Sequence, residues 1–181
     1  MGRLDDRVAI VTGGARGLGE CIAHLFSEEG ARVALFDIRD DLGEAVAKDI
    51  GESAIYQHCD VSCEEDWAAG MEAVLAWGGR LDVLVNNAAV LHLDWIENTT
   101  AADYERVFRV NELGVFLGVR SAIAPMRAAG AGSIVNISTV DAALPSPVTA
   151  AYSGTKFAVE GITRVAALRL RAPIRPHLSS T

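Results

Sequence analysis

The stretch VAIVTGGARGLGECIAHLF, residues 8–26, decides the fold. Its first part is a compact apolar run rich in β-branched residues, which predicts a buried strand. Its last part places Leu18, Ile22 and Leu25 at helical spacing, which predicts an amphipathic helix. A strand, a glycine-rich loop and a helix therefore follow one another without any spacer.

The rest of the chain repeats this order of strand and helix. Four more apolar runs predict strands: ARVALFDI, SAIYQHCDV, LDVLVNNAA and GSIVNIST. Helices are predicted between them, including one that opens at the capping-box pair Ser62 and Glu65, a long one from about Ala101 to Met126, and a last one over 149–170. This alternation predicts an α/β fold, a doubly wound parallel sheet with helices on both faces. Ligands bind such sheets at the carboxyl ends of the strands, so we expect the functional residues there.

Composition excludes several classes of partner. The 181 residues suffice for one domain with a core, and their net charge of −8, without a basic cluster, disfavours nucleic acid. No apolar run is long enough to span a membrane, so no membrane partner is expected. Cys21, Cys59 and Cys63 cannot all pair with one another and lack a second pair of metal ligands. Free thiols in a reducing cytoplasm, and no metal site, are the expectation.

The loop TGGARGLG, residues 12–19, has the features of a phosphate-binding loop. Gly13, Gly17 and Gly19 allow a tight turn and let a ligand approach the backbone without Cβ atoms in the way. The free N–H groups and the dipole at the start of the helix favour a pyrophosphate. Because a strand precedes the loop and a helix follows it, a dinucleotide site is predicted.

Asp37 ends the second strand, near the position at which a dinucleotide fold places its ribose ligand. Its carboxylate would accept hydrogen bonds from the ribose hydroxyls and repel the additional phosphate of NADP. A solvated strand-end aspartate is the alternative, and Arg16 or Arg39 could reach a 2′-phosphate. A desolvated clash between like charges costs several kcal/mol, so NAD is predicted rather than NADP.

Tyr152 and Lys156 stand four residues apart in AYSGTKFAV, residues 151–159, and so share one face of the last helix. A free tyrosine has a pKa near 10, too high for an efficient base near neutrality. An ammonium about 4 Å away contributes about 4 kcal/mol at an effective dielectric constant near 20. We therefore expect Lys156 to lower the pKa of Tyr152, so that the phenol can donate and accept a proton.

With TGGARGLG, NNAA, an asparagine in the long helix, SIVNIS and YSGTK in this order, the sequence resembles the classical short-chain dehydrogenase/reductase family. The resemblance runs from about Arg7 to about Leu170. Within the family, the sequence most resembles bacterial dehydrogenases of hydroxysteroids and other secondary alcohols. It implies a Rossmann-like sheet with strand order 3-2-1-4-5.

The resemblance also implies a role for each matched residue. Asp37 would bind the adenosine ribose, Asn111 would kink its helix and hold a water leading from Lys156 to solvent, and Ala89 replaces a glycine usual in the family. The cofactor-binding residues would be Gly13, Arg16, Gly17, Leu18, Gly19, Asp37, Asp60, Val61, Asn87, Tyr152 and Lys156. The catalytic residues would be Asn111, Ser138, Tyr152 and Lys156, with Ser138 and Tyr152 contacting the substrate.

The end of the chain departs from the family pattern. Family members continue beyond the last helix, whereas this sequence reads ALRLRAPIRPHLSST. Pro176 removes a ladder N–H where a sixth strand would pair, and residues 177–181 have no strand pattern. The expectation is a single NAD-binding domain over 1–181, shortened after the last helix. Its sixth and seventh strands would be absent, which would leave the fifth strand as an exposed edge.

These features predict an oxidoreductase that transfers a hydride between NAD and a secondary alcohol or ketone, with a hydroxysteroid as one candidate substrate. The alternative is a catalytically silent chain that binds NAD or associates with other subunits. In the family the long helix and the last helix usually form a dimer face, so a homo-oligomer, dimer or tetramer, is expected.

Overall fold

The computed structural model describes residues 2–142, 144–170 and 174–180. The strands are β1 Val8–Thr12, β2 Arg32–Asp37, β3 Ala54–His58, β4 Val83–Asn86, β5 Gly132–Ser138 and β6 Ile174–Ser180. The helices are α1 Gly17–Glu28, α2 Asp40–Ile50, α3 Glu64–Gly78, α4 Ala101–Phe108, α5 Gly114–Ala128 and α6 Ala150–Leu170. In this part of the chain no helix combines the length and apolar character needed to cross a membrane.

The strands form one parallel sheet in the order β3-β2-β1-β4-β5-β6. All five residues of β1 are buried, as expected for a central strand covered on both faces. The order reverses between β1 and β4, and the crevice beside that switch point is where such sheets bind ligands. The predicted doubly wound α/β fold is confirmed.

The core lies in two layers, one on each face of the sheet. One layer contains Trp67 of α3, Leu117 of α5 and Val159 of α6, packed among strand residues. The other contains Ala23 of α1 and Val46 of α2. The sheet therefore holds α1 and α2 against one face and α3, α5 and α6 against the other.

The prediction that the sheet ends at the fifth strand is wrong. β6 pairs in parallel with β5 over its whole length, with Pro176 opposite Ile134. Because β6 is an edge strand with a neighbour on one side, some of its N–H groups need no ladder partner, and proline is tolerated there. Ile174, 2% exposed, anchors the strand in the core. Residue 181, which that prediction included, lies outside the described residues.

Two helix predictions also need correction. The predicted capping box does not form, because the N-cap of α3 is Cys63 rather than Ser62, and the Glu65 carboxylate accepts from the Cys63 thiol. The long helix predicted from Ala101 to Met126 is divided into α4 and α5 by a π-helical turn, Arg109–Leu113. The π-turn contains Asn111, where the sequence predicts a kink.

Candidate active site

A groove of about 470 Å³ opens at the carboxyl ends of the central strands. Eight of the predicted cofactor-binding residues line it: Gly13, Arg16, Gly17, Leu18, Asp37, Asp60, Val61 and Asn87. Gly19, Tyr152 and Lys156 lie outside this lining. Ala89 is part of the wall, so the methyl group that distinguishes it from glycine borders the groove.

The glycine loop is shaped so that a ligand can approach its backbone. Gly13 and Gly17 have φ values of 65° and 59°, a region that favours glycine. Beyond Gly17 an added Cβ would meet open space, whereas at Gly19 it would overlap the carbonyl oxygen of Gly13. Gly17 therefore leaves room on the ligand side, and Gly19 lets α1 pack closely against the loop.

Thr12 and Asn87 tie the glycine loop to the segment that follows β4. The Asn87 side chain donates to the carbonyl oxygens of Thr12 and Gly13, at 2.9 and 3.3 Å. The Thr12 hydroxyl accepts from the backbone N–H groups of Asn87 and Ala88, both at 3.0 Å. Sequence reasoning missed Thr12, although its position at the end of β1, next to the glycines, was the available signal.

Asp37 is held by backbone donors on both carboxylate oxygens. Oδ2 accepts from the N–H of Ala15 and Oδ1 from the N–H of Arg39, each at 3.1 Å. The carboxylate borders the groove together with Arg16 and Arg39, so groups of both signs face the same space. This combination suits a dinucleotide. Backbone N–H groups at Gly17 and at the start of α1 can donate to phosphate, and the strand-end carboxylate can accept from ribose hydroxyls.

Lys156 is buried beneath the end of β5. The residue is 2% exposed, its ammonium donates to the carbonyl oxygen of Ile137 at 2.7 Å, and its Nζ lies 5.7 Å from the centre of the Tyr152 ring. Burial lowers the pKa of Lys156 from 10.5 to about 8. The amine is therefore still mostly charged at neutral pH, and it lies in a place where its charge is poorly solvated.

The expected lowering of the Tyr152 pKa is wrong for the chain as it stands. Burial raises the pKa of the phenol, a hydrogen bond with Thr139 opposes this, and the charge of Asp141 raises it further. The Lys156 ammonium lies over the ring, 5.7 Å from its centre, and is committed to Ile137, which is why the 4 Å estimate overstates its effect. The neutral phenol is accordingly favoured at neutral pH.

Asn111 connects the π-turn to the segment after β4 and to α6. Its side chain exchanges two hydrogen bonds with the backbone of Val90, at 2.8 and 2.9 Å, and donates to the Thr155 hydroxyl at 3.4 Å. Thr155 in turn donates to the carbonyl oxygen of Tyr152 at 2.8 Å. The water-holding role that the resemblance implies for Asn111 stays a prediction. Thr155 is a second residue that the sequence analysis missed, because a threonine inside a helix carries no signal.

Ser138 is the last residue of β5 and is 1% exposed. It follows Ile137, whose carbonyl oxygen accepts from Lys156, so it lies beside the strand end to which α6 is anchored. Lys156 is thus bonded to the residue that precedes Ser138, and the Asn111 side chain is linked through Thr155 to the backbone of Tyr152.

Comparison with known proteins identifies the family of the chain. A family model described as short chain dehydrogenase matches residues 7–175. A 3-alpha-(or 20-beta)-hydroxysteroid dehydrogenase of Mycobacterium tuberculosis is 44% identical over 93% of the chain, and a cyclopentanol dehydrogenase of Comamonas testosteroni is 40% identical over 99%. The chain spans 65% and 73% of these two relatives.

Among solved structures, a 3-ketoacyl-(acyl-carrier-protein) reductase from Brucella melitensis complexed with NADH matches with a TM-score of 0.94. It is 34% identical, and the match covers 97% of this chain and 75% of that one. The sequence motifs, the sheet order and these matches lead to one conclusion, which confirms the resemblance seen in the sequence. The chain belongs to the short-chain dehydrogenase family.

Proposed function

We propose that this chain is an NAD-dependent oxidoreductase that interconverts a secondary alcohol and a ketone. The observation that carries the proposal is the buried ammonium of Lys156, fixed to Ile137 and 5.7 Å from the centre of the Tyr152 ring. Burying a charge is costly, and ionisable groups with perturbed pKa values occur often at catalytic sites.

The groove supports NAD as the cofactor. The glycine loop would hold the pyrophosphate against the start of α1, and Asp37 would accept hydrogen bonds from the adenosine ribose. Asp60 and Val61 would border the adenine, and Asn87 would shape the nicotinamide half by holding the glycine loop in place. Bound NAD would supply the hydride acceptor, and NADH the donor.

Tyr152 would handle the proton. In ketone reduction its hydroxyl donates a proton to the carbonyl oxygen, and in alcohol oxidation its phenolate takes the hydroxyl proton. Burial raises the pKa of Tyr152, which favours the proton-donating form that reduction requires. The positive charge of Lys156 would stabilise the phenolate left behind, and Ser138 would orient the substrate oxygen.

The surroundings of this centre support an apolar substrate. The segment after β4 and the segment before α6 are joined by a parallel bridge between Asp94 and Thr149. Large apolar side chains on these segments are exposed, including Leu91, Trp95 and Leu144. The names of the two dehydrogenase relatives, one acting on hydroxysteroids and one on cyclopentanol, suggest cyclic secondary alcohols as the first compounds to test.

The test measures NAD binding by calorimetry and turnover with a panel of cyclic alcohols, for the wild-type chain, Tyr152→Phe and Tyr104→Phe. Tyr104 is half exposed on α4 and serves as the matched control. Tyr152→Phe should lower kcat by at least about 100-fold, because general acid–base catalysis is lost, while NAD affinity stays within about two-fold. Equal turnover by both variants would refute the assignment of Tyr152.

A silent NAD-binding subunit is the second candidate, and exposed apolar side chains on two helices favour it. Phe116 of α5 and Phe157 and Leu168 of α6 are 47%, 53% and 72% exposed. Helix faces of this kind suit association with another copy of the chain or with a longer relative. NAD binding and a dimer by light scattering, without turnover of any alcohol in the panel, would favour this candidate over the enzyme.

A further inference from the structure

The connection from β2 to α2, residues 37–40, carries both groups that would decide between NAD and NADP. Asp37 disfavours a 2′-phosphate, whereas Arg39 would attract one, and both border the groove. The Asp37 carboxylate accepts from the Arg39 N–H at 3.1 Å. The direction in which the Asp37 carboxylate points therefore depends in part on how firmly residues 37–40 are held.

Tyr56 of β3 holds the connection at both ends. Its hydroxyl lies 2.7 Å from the carbonyl oxygen of Asp37 and 2.6 Å from Oδ1 of Asp40, and its single proton is shared between these two acceptors. The ring nitrogen Nδ1 of His58 lies 2.7 Å from the same Asp40 oxygen. One hydroxyl thus joins the last residue of β2 to the first residue of α2.

The tyrosine ring is placed by close packing against α2. A Cβ at Gly43 would overlap the ring carbons of Tyr56, so a glycine is required at this position in the helix. The ring therefore lies directly against the helix backbone, and its hydroxyl is presented to the connection. Tyr56→Phe would keep this packing and remove only the hydrogen bonding of the hydroxyl.

The charges around the hydroxyl increase the effect of its loss. Burial and the nearby carboxylates of Asp40, Asp37 and Glu44 raise the pKa of Tyr56, so it keeps its proton and remains a donor. Without that donor, the Asp37 carbonyl and the Asp40 carboxylate would lose a shared partner. Hydrogen bonds to charged groups are among the stronger ones, so residues 37–40 would be held less firmly, by remaining bonds that include those to Ala15, Cys59 and His58.

We propose that Tyr56, acting with Asp40, is a specificity-determining positioning residue that keeps the Asp37 carboxylate directed at the adenosine ribose and so excludes NADP. Once the connection is loosened, the Arg39 N–H fixes Asp37 less firmly, which leaves the Ala15 N–H as its firm donor, and the Arg39 side chain can approach a 2′-phosphate. The inference rests on the proposed NAD site. It adds a residue, outside the lining of the groove, that controls the preference between the two cofactors.

The experiment measures dissociation constants for NAD and NADP by calorimetry with Tyr56→Phe, Asp40→Ala, the double variant, and Tyr104→Phe as the control that loses a tyrosine hydroxyl elsewhere. The ratio of the NADP constant to the NAD constant should fall about three- to ten-fold in Tyr56→Phe, the size expected for one hydrogen bond. Asp40→Ala should lower the ratio similarly, and the double variant should add little to either. The control should keep the wild-type ratio.

Amide hydrogen exchange without cofactor gives a second readout. The Arg39 and Cys59 amides, bonded to the Asp37 carboxylate and carbonyl, should exchange faster in Tyr56→Phe, while those of β1 stay protected. An unchanged ratio in folded Tyr56→Phe would overturn the inference and leave the NAD site standing. Binding of neither cofactor by the wild-type chain would overturn both. If Tyr56→Phe fails to fold, the ratio in Asp40→Ala decides the question in the same way.

Discussion

Replacing Lys156 by methionine should change how the stability of this protein depends on pH. The folded chain holds the pKa of the buried amine at about 8, against an ordinary value of 10.5. This difference corresponds to about 3 kcal/mol by which folding disfavours the charged amine. Between these two pH values the unfolded chain binds a proton that the folded chain does not, so wild-type stability rises with pH relative to the variant. Below pH 8 both states are charged, and the wild-type chain carries the full destabilisation.

The assay is urea unfolding of both proteins at several pH values from 7 to 10.5. The difference in unfolding free energy, wild type minus Lys156→Met, should increase by about 3 kcal/mol over this range. The hydrogen bond from the amine to Ile137 adds an offset to this difference but little slope, because a neutral amine still donates. Lys48→Met, at an exposed position on α2, is the matched control and should run parallel to wild type. Parallel curves for Lys156→Met would refute the inference that a buried charge is relieved at high pH.

Two further predictions concern the opposite end of the sheet and the glycine loop. Asp82 accepts from Arg7 and Arg80 at 2.7–3.0 Å; burial raises its pKa, but these hydrogen bonds outweigh burial and lower it. Asp82→Asn should cost about 2 kcal/mol in urea unfolding at pH 7, since hydrogen bonds to a charged group are lost while both arginines stay partly solvated, and this contribution to wild-type stability should disappear as pH falls through the lowered pKa. Gly19→Ala should abolish NAD binding in calorimetry and lower the melting temperature, because its methyl group would overlap the carbonyl oxygen of Gly13. Unchanged binding or melting would contradict the close packing.

The fold was predictable because local and long-range signals agree in this chain. The run ending at Thr12 is apolar and β-branched, and the glycines that follow leave few other conformations for the loop. Asp37 and Asp60 follow strands, so a parallel sheet necessarily brings them to one edge. The lining of the groove could therefore be read from strand ends without knowledge of any tertiary contact.

The remaining features depend on contacts between distant segments. Pro176 argues against a strand locally, but pairing with β5 and the burial of Ile174 outweigh that preference at an edge. The pKa of Tyr152 depends on burial and on the partner that Lys156 selects, neither of which spacing reveals. Tyr56 resembles an ordinary strand residue until α2 places Asp40 and a glycine beside it.

The π-turn also limits how the chain can be shortened. A π-turn holds one residue more than a regular turn, so deleting one residue between 109 and 113 would restore a continuous α-helix. The deletion would rotate everything on one side by about 100° relative to the other. If α4 rotated, Asn111 would lose its hydrogen bonds to Val90. If α5 rotated, Gly118 would turn away from the sheet, and a residue with a side chain would take its place against the Asn86 amide. The deletion would thus give the helix regular α-helical hydrogen bonds but remove its fit to the sheet. We therefore expect deletion of one residue here to be more damaging than most substitutions.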